Sequence, residues 1–280
     1  MSTSPPPSSG PPLTPSLRGR PAAALPFLLG SWLRLLIGGA GMAVCSVVCI
    51  AALFCALPSR KLRVCISNVY GSVAGRFMFF CSGSRLVLRG YEEALQRGPA
   101  IWAMNHASLI DIPLGIWLSP VGTVGVGKRE VIYYPFFGVL YVLAGHLRIE
   151  RGNTARAVAS MRAMAEWVRR HHVSIFLWPE GTRSRDGRLL PFKKGIVHLA
   201  LQTGLPIQPM VAAGTHRVWP KGPPRISPGI VEIDFPPLLQ TGHWSAERSD
   251  EALAELEAVF EQILPVDQRR AMPHPGLAAA

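Results

Sequence analysis

The first 91 residues of this 280-residue chain hold no carboxylate, Glu92 being the first acidic side chain, and no cysteine occurs after Cys81. Charged residues of either sign make up only 16% of the chain, against 49% hydrophobic residues. Each shortage excludes something. So apolar a sequence is not a disordered one, and its length supports a sizeable core. The five cysteines, Cys45, Cys49, Cys55, Cys65 and Cys81, are odd in number and contain no C-x-x-C pair, so neither a disulfide framework nor a zinc site is expected. A reducing setting follows for the larger part of the chain. No thiol is available as a nucleophile in the C-terminal two thirds.

What is present is a basic excess with a marked placement. The formal net charge is +12, and nine of the 29 basic residues lie before Glu92 with no acid among them, leaving 20 to face all 17 acidic residues. That same region holds the longest apolar run, residues 35–57, which carries no charge and is flanked by Arg34 and by Arg60, Lys61 and Arg63. As a helix the run is roughly 35 Å long, enough for a hydrocarbon layer of ~30 Å. Basic charge beside an apolar helix points to membrane lipids as partner and away from nucleic acid. The basic C-terminal flank favours placing the remainder of the chain on the cytoplasmic face. Residues 64–80 are also apolar but carry Asn68 and Arg76, which suits a second helix at the interface better than a second span.

The organisation is read as four parts: a Ser/Pro-rich disordered tail at 1–26, a membrane-associated helical segment at 27–82, an α/β domain at 83–268 and a flexible tail at 269–280. Strands are expected at 85–89, 100–104, 173–178, 205–213 and 230–235. Helices are expected at 154–170, capped by Asn153 or Thr154, at 195–202, closed by Gly204, and from a Ser249 cap, with Leu253, Leu256, Phe260 and Ile263 on one face.

Two polar strings stand at the ends of expected strands. Asn105-His106-Ala107-Ser108-Leu109-Ile110-Asp111 follows the strand 100–104. An imidazole is the natural general base for a hydroxyl, and a carboxylate on its other ring nitrogen fixes its tautomer. Residues five apart on one helix would diverge by about 140°, so His106 and Asp111 should straddle a strand end and the first turn of a helix. Asn105 is read as pinning the turn and Ser108 as a cap, not a nucleophile. The second string, Trp178-Pro179-Glu180-Gly181-Thr182-Arg183-Ser184, follows the strand 173–178. Loops at the carboxyl ends of parallel strands share one crevice, so the two strings can line one site. Gly181 lets backbone approach a ligand, and Arg183 offers a planar donor fork suited to phosphate. Arg151, beside Glu150, is a second candidate anion ligand.

Other residues have two readings. Tyr133, Tyr134, Phe136 and Phe137 suit either a bilayer-facing aromatic patch or packing around Gly138. His146, His198 and His216 read as structural. No tight metal site is expected.

In this order the strings resemble the 1-acylglycerol-3-phosphate acyltransferase family, with four blocks over roughly residues 88–211. They are Asn105, His106 and Asp111 (NHx4D); Arg151, with Glu150 where the family has Asp; Glu180, Gly181, Thr182 and Arg183 (EGTR); and Leu205, Pro206, Ile207 and Pro209, with Gln208 at a position more often aliphatic. The resemblance implies a central mixed sheet flanked by helices, preceded by a membrane helix or a two-helix membrane motif. It also implies acyl transfer from acyl-CoA or acyl carrier protein, a co-substrate with no further cofactor, to the hydroxyl of a lysophospholipid acceptor. His106 would be the base and Asp111 its support, while Arg151 and Arg183 would hold phosphate and Glu180 would orient an arginine or a glycerol hydroxyl. Lys128, Arg129, Lys193 and Lys194 suit either contacts to phosphates of the acceptor or of coenzyme A, or simply facing anionic lipid. Another lyso-lipid acceptor, such as a lyso-ornithine lipid, stays open, as does a non-catalytic lipid- or nucleic-acid-binding role.

Overall fold

A computed structural model describes residues 24–133, 137–149, 154–222 and 225–270. Arg151 with Glu150, the cap candidate Asn153, Tyr134, Phe136, and nearly all of both expected tails lie outside these residues.

The centre is a seven-stranded mixed sheet. Its strands are β1 (Arg85–Arg89), β2 (Ile101–Met104), β3 (Val124–Lys128), β4 (Leu147–Ile149), β5 (Ile175–Leu177), β6 (Ile207–Ala213) and β7 (Ile230–Asp234), in the order β1-β7-β6-β2-β5-β3-β4. Every neighbouring pair is parallel except β6 and β7. β3 and β4 are the two strands that the sequence pattern does not announce.

Strand alternation divides the core in two. Ile101, Ala103, Ile175, Leu177 and Val211 face Met164, Val168, Leu199, Leu256 and Phe260 of the helices α6 (Thr154–His171), α7 (Gly195–Thr203) and α9 (Ser249–Ile263). Trp102, Met104, Phe176, Met210 and Ala212 face the other way, onto Leu114 and Leu118 of α4 (Asp111–Leu118). Gly204 closes α7 at φ 68°, as expected of a left-handed glycine cap. Ser249 does not cap α9: its hydroxyl donates to the carbonyl of Ala246.

The N-terminal segment is a helical hairpin of α1 (Ala24–Cys55) and α2 (Arg60–Ser82), each long and apolar enough by composition to cross a membrane. Ser59 caps α2 by accepting the N–H of Leu62, and Gly83 at φ 69° ends it. The two polar residues that set α2 apart from a span both serve docking. Asn68 accepts the N–H of Gly122 at 2.8 Å and donates to the carbonyl of Thr123 at 3.1 Å, and Arg76 lies 5.5 Å above the Trp117 ring. α2 lays Gly71 and Gly75 directly on α4, so it forms an outer layer of the α/β domain as well as half of the hairpin. α1 lies outside α2 and leaves Leu33, Leu36, Val44, Val47, Val48 and Phe54 exposed.

A short α5 (Phe137–Ala144) completes this apolar cluster by packing Leu140 on Cys49 and Leu53. Phe137 is tilted against Tyr141, whereas Tyr133 is exposed, so the aromatic string is divided between packing and surface. His146 follows α5 and joins the hairpin to the sheet. Its Nδ1 accepts the N–H of Gly125, and its Nε2 lies 3.1 Å from the Ser67 hydroxyl of α2. Burial, and secondarily the Arg60 charge, pushes this histidine down to about 4, so it is neutral at pH 7.

Candidate active site

β2 and β5 are parallel neighbours with Ala103 opposite Leu177, so the chain leaves both strands side by side. Asn105 is the first residue beyond β2. Its amide behaves like one more rung of the ladder, donating to the carbonyl of Ala212 at 2.8 Å and accepting the N–H of the same residue at 2.7 Å. The pin therefore runs to β6 and not within the turn itself.

His106 comes next and is buried apart from a small opening. Its Nδ1 lies 3.0 Å from Oδ2 of Asp111, the fully buried first residue of α4. The same oxygen accepts the N–H of Ala107 at 2.8 Å and of Ser108 at 2.7 Å, so three donors converge on it. With two backbone N–H groups already donating to Oδ2, this oxygen acts as an acceptor toward the ring as well, which makes Nδ1 the ring nitrogen that carries hydrogen. Nε2 is thereby left with a lone pair for an acceptor's hydroxyl. Ser108 is spent internally: its hydroxyl donates to the carbonyl of Trp219 and accepts the N–H of Ile110.

The second string is tied to the first through one residue. The His106 N–H donates to Oε1 of Glu180 at 2.6 Å, and the His106 carbonyl accepts the N–H of Ser184 at 2.8 Å. The other Glu180 oxygen accepts the N–H of Leu190 at 3.1 Å. Both Glu180 oxygens thus hold backbone. Burial pushes Glu180 up to about 8, against the opposing pull of its two N–H donors.

Gly181 takes φ 68°, a conformation L side chains rarely adopt, and turns the chain so that its N–H returns to the carbonyl of Trp178. Thr182 is exposed and Arg183 is half-buried. Among the described residues the Arg183 guanidinium makes no hydrogen bond, while its carbonyl accepts from Lys221 at 2.7 Å. The structure thus brings the His106–Asp111 pair together with the loop that carries Glu180, Gly181, Thr182 and Arg183, where the chain leaves β2 and β5. Arg151 lies outside the described residues.

Trp178 has a place in the site that the sequence pattern alone does not give it. Its indole stacks on the His106 imidazole, with ring centroids 4.7 Å apart and planes 22° from parallel. Its position just past β5, beside the segment that leaves β2 two residues before His106, is the available signal. Lys221 has no such signal. Gln208, the departure in the proline-centred block, is fully buried and bonded to Arg97 and to the carbonyls of Pro209 and Pro236.

Residues 85–213 match the Acyltransferase family model. Fold and match together define an α/β acyltransferase. The chain is 43% identical over 213 residues to the 1-acyl-sn-glycerol-3-phosphate acyltransferase of Limnanthes douglasii, covering 76% of this chain and 75% of that one. It is 39% identical over 258 residues to the enzyme of that name from Cocos nucifera, covering 89% and 83%. The crystal structure of PlsC, the 1-acyl-sn-glycerophosphate acyltransferase of Thermotoga maritima, superposes with a TM-score of 0.71 at 25% identity, covering 85% of this chain and 95% of that one. The chain belongs to the 1-acyl-sn-glycerol-3-phosphate acyltransferase family.

Proposed function

We propose that this enzyme moves a fatty acyl group from an acyl thioester, acyl-CoA or acyl carrier protein, to the sn-2 hydroxyl of 1-acylglycerol 3-phosphate, giving phosphatidate. The observation that carries the mechanism is the buried His106–Asp111 pair just past the end of β2, with Nδ1 committed and Nε2 open. His106 Nε2 takes the hydroxyl proton as the oxygen attacks the thioester carbonyl. Asp111 supports the imidazolium that forms. Collapse of the tetrahedral intermediate breaks the C–S bond, and the departing thiolate takes the proton from Nε2. No acyl-enzyme is needed, which suits a domain with no cysteine and a Ser108 hydroxyl already spent.

Arg183, poised at the crevice without an internal partner among the described residues, and Arg151 hold the acceptor phosphate. Glu180 serves by holding the loops, and Gly181 and Thr182 shape the approach. The exposed apolar face of α1 supports membrane seating, where a lysolipid and its diacyl product both reside, with the catalytic domain on the cytoplasmic side.

The test uses purified full-length protein with lysophosphatidate and a radiolabelled acyl thioester. Labelled phosphatidate should form, and His106→Ala should abolish it. Wild-type turnover in His106→Ala would overturn the mechanism, and transfer to other lyso-lipids but not to lysophosphatidate would overturn the acceptor.

A further inference from the structure

We propose that Trp178 is a positioning residue for His106, its indole braced through Phe176 against α4 so that its face stabilises the imidazolium formed during acyl transfer. This rests on the general-base reading of His106.

The brace is continuous. Trp178 stacks on His106 at 4.7 Å, and Phe176 meets Trp178 nearly at right angles, 86°, at the same centroid distance. Phe176 is buried and presses on Gly115, where an added Cβ would fall 2.4 Å from the Phe176 Cζ. Gly115 stands about one turn after Asp111 on α4, and Asp111 holds His106. The path returns to its start: Asp111, His106, Trp178, Phe176, Gly115 and back along one helix. A single hydrogen bond at Nδ1 leaves the imidazole free to rock about the N···O axis. The indole removes that freedom and fixes the direction in which Nε2 points.

The stack has a second consequence. A cation within about 6 Å of an indole face is attracted by the ring quadrupole. His106 gains its positive charge only as it takes the proton, so the attraction is stronger in the transition state than before it, the condition under which a contact accelerates a step. An aliphatic side chain of similar bulk would exclude water equally well but would not do this.

The charged and titratable groups around His106 are Asp111 on α4, Glu180 after β5, Arg270 acting on Glu180, and His216 after β6, near enough to Asp111 to feel its charge. All are unaltered by substitution at Trp178, so a change in the titration of His106 reports the indole.

The experiment compares wild type, Trp178→Leu and Trp178→Phe as full-length protein in detergent. The first readout is the NMR titration of 13C-labelled histidine, with His106→Gln assigning the His106 signal. The second is kcat and KM across pH with lysophosphatidate and an acyl thioester. In Trp178→Leu the His106 titration and the acid limb of kcat/KM should move down by about one pH unit, and kcat should fall about tenfold with KM little changed. Trp178→Phe, which keeps a smaller aromatic face, should recover about half of both effects and leave a downward shift of a few tenths. An unmoved His106 titration in the leucine variant, or a phenylalanine variant no different from leucine, would overturn the proposal. If the leucine variant does not fold, the phenylalanine variant decides alone: a downward shift of a few tenths supports the stack, and none overturns it. The titration needs no turnover, so a wild type unable to transfer acyl groups would sink the general-base reading while the stack is still judged by its own signal.

Discussion

Glu180 accepts the backbone N–H of His106 at 2.6 Å, with its carboxylate buried beneath the loop that it holds. Its effect on the imidazole is thus exerted through main chain. Glu180→Ala would leave the N–H groups of His106 and Leu190 buried without acceptors, at about 1–3 kcal/mol for each such group. The variant should show a lower urea midpoint and a kcat reduced by roughly 10²-fold, a loss of the order that misplacing a reacting group produces. Unchanged stability would show the bonds to be dispensable.

The same carboxyl group makes stability depend on pH. Its folded value of about 8 lies above its ordinary 4.5. Below 4.5 its contribution is fully present, and it is lost as pH rises through 8, because the folded state holds a proton that the unfolded chain has released. The Tm of wild type minus that of Glu180→Gln should therefore fall steadily between pH 4.5 and 8. His146 has the opposite sign: its folded value of about 4 lies below its ordinary 6.5. Wild type minus His146→Gln should lose Tm as pH drops from 6.5 toward 4. Differential scanning calorimetry across this range separates the two.

Asp111→Asn preserves volume and removes the charge on which three N–H donors converge. An amide cannot satisfy all three and reverse its polarity toward the imidazole, so the ring is free to take the wrong tautomer. We expect kcat to fall by about 10³–10⁴-fold, as at an analogous histidine–aspartate site, with KM nearly constant. Steady-state kinetics at fixed pH check it.

Gly75 of α2 lies where an added Cβ would come within 2.4 Å of the Pro113 carbonyl oxygen of α4. Because α4 begins at Asp111, prising the helices apart reaches the site. Gly75→Ala should cost about 1–3 kcal/mol and lower kcat as well. Gly39 of α1 has nothing within 4 Å, so Gly39→Ala should be neutral or stabilising by up to about 1 kcal/mol. Denaturant unfolding of the pair, with activity measured alongside, gives the comparison.

Much of this arrangement is legible in the sequence because it depends on short-range pattern. Ile101 to Met104 and Ile175 to Leu177 are apolar runs that end in polar strings, and such a run entering a parallel sheet carries its successor to the crevice. β3 is illegible because Val124–Lys128 contains two glycines, which carry no strand preference, and β4 is only three residues long. Strand order is a long-range property, which is why Asn105 can be recognised as a pin while its anchor, Ala212, cannot. The backbone bonds of Glu180 are hidden for a related reason. A carboxylate in a motif reads as substrate chemistry, and nothing local tells that its partners are the N–H groups of His106 and Leu190. Asn68 and Arg76 do tell that α2 differs from α1, although the sequence suggests lipid headgroups where the fold supplies Gly122, Thr123 and Trp117.

The attachment of α2 along the flank of α4 bears on how this protein can be engineered. In an enzyme whose anchor hangs from a linker, the apolar segment is cut away to leave a soluble catalyst. Here the same cut would uncover Pro113, Ile116 and Trp117, strip Gly122 and Thr123 of their partner side chain and take Ser67 from His146. The hairpin cannot be shed like a tether. Solubility must be sought by recolouring the outward surface of α1, at Leu33, Leu36, Val44 and Val48, while every residue that α2 turns inward stays as it is.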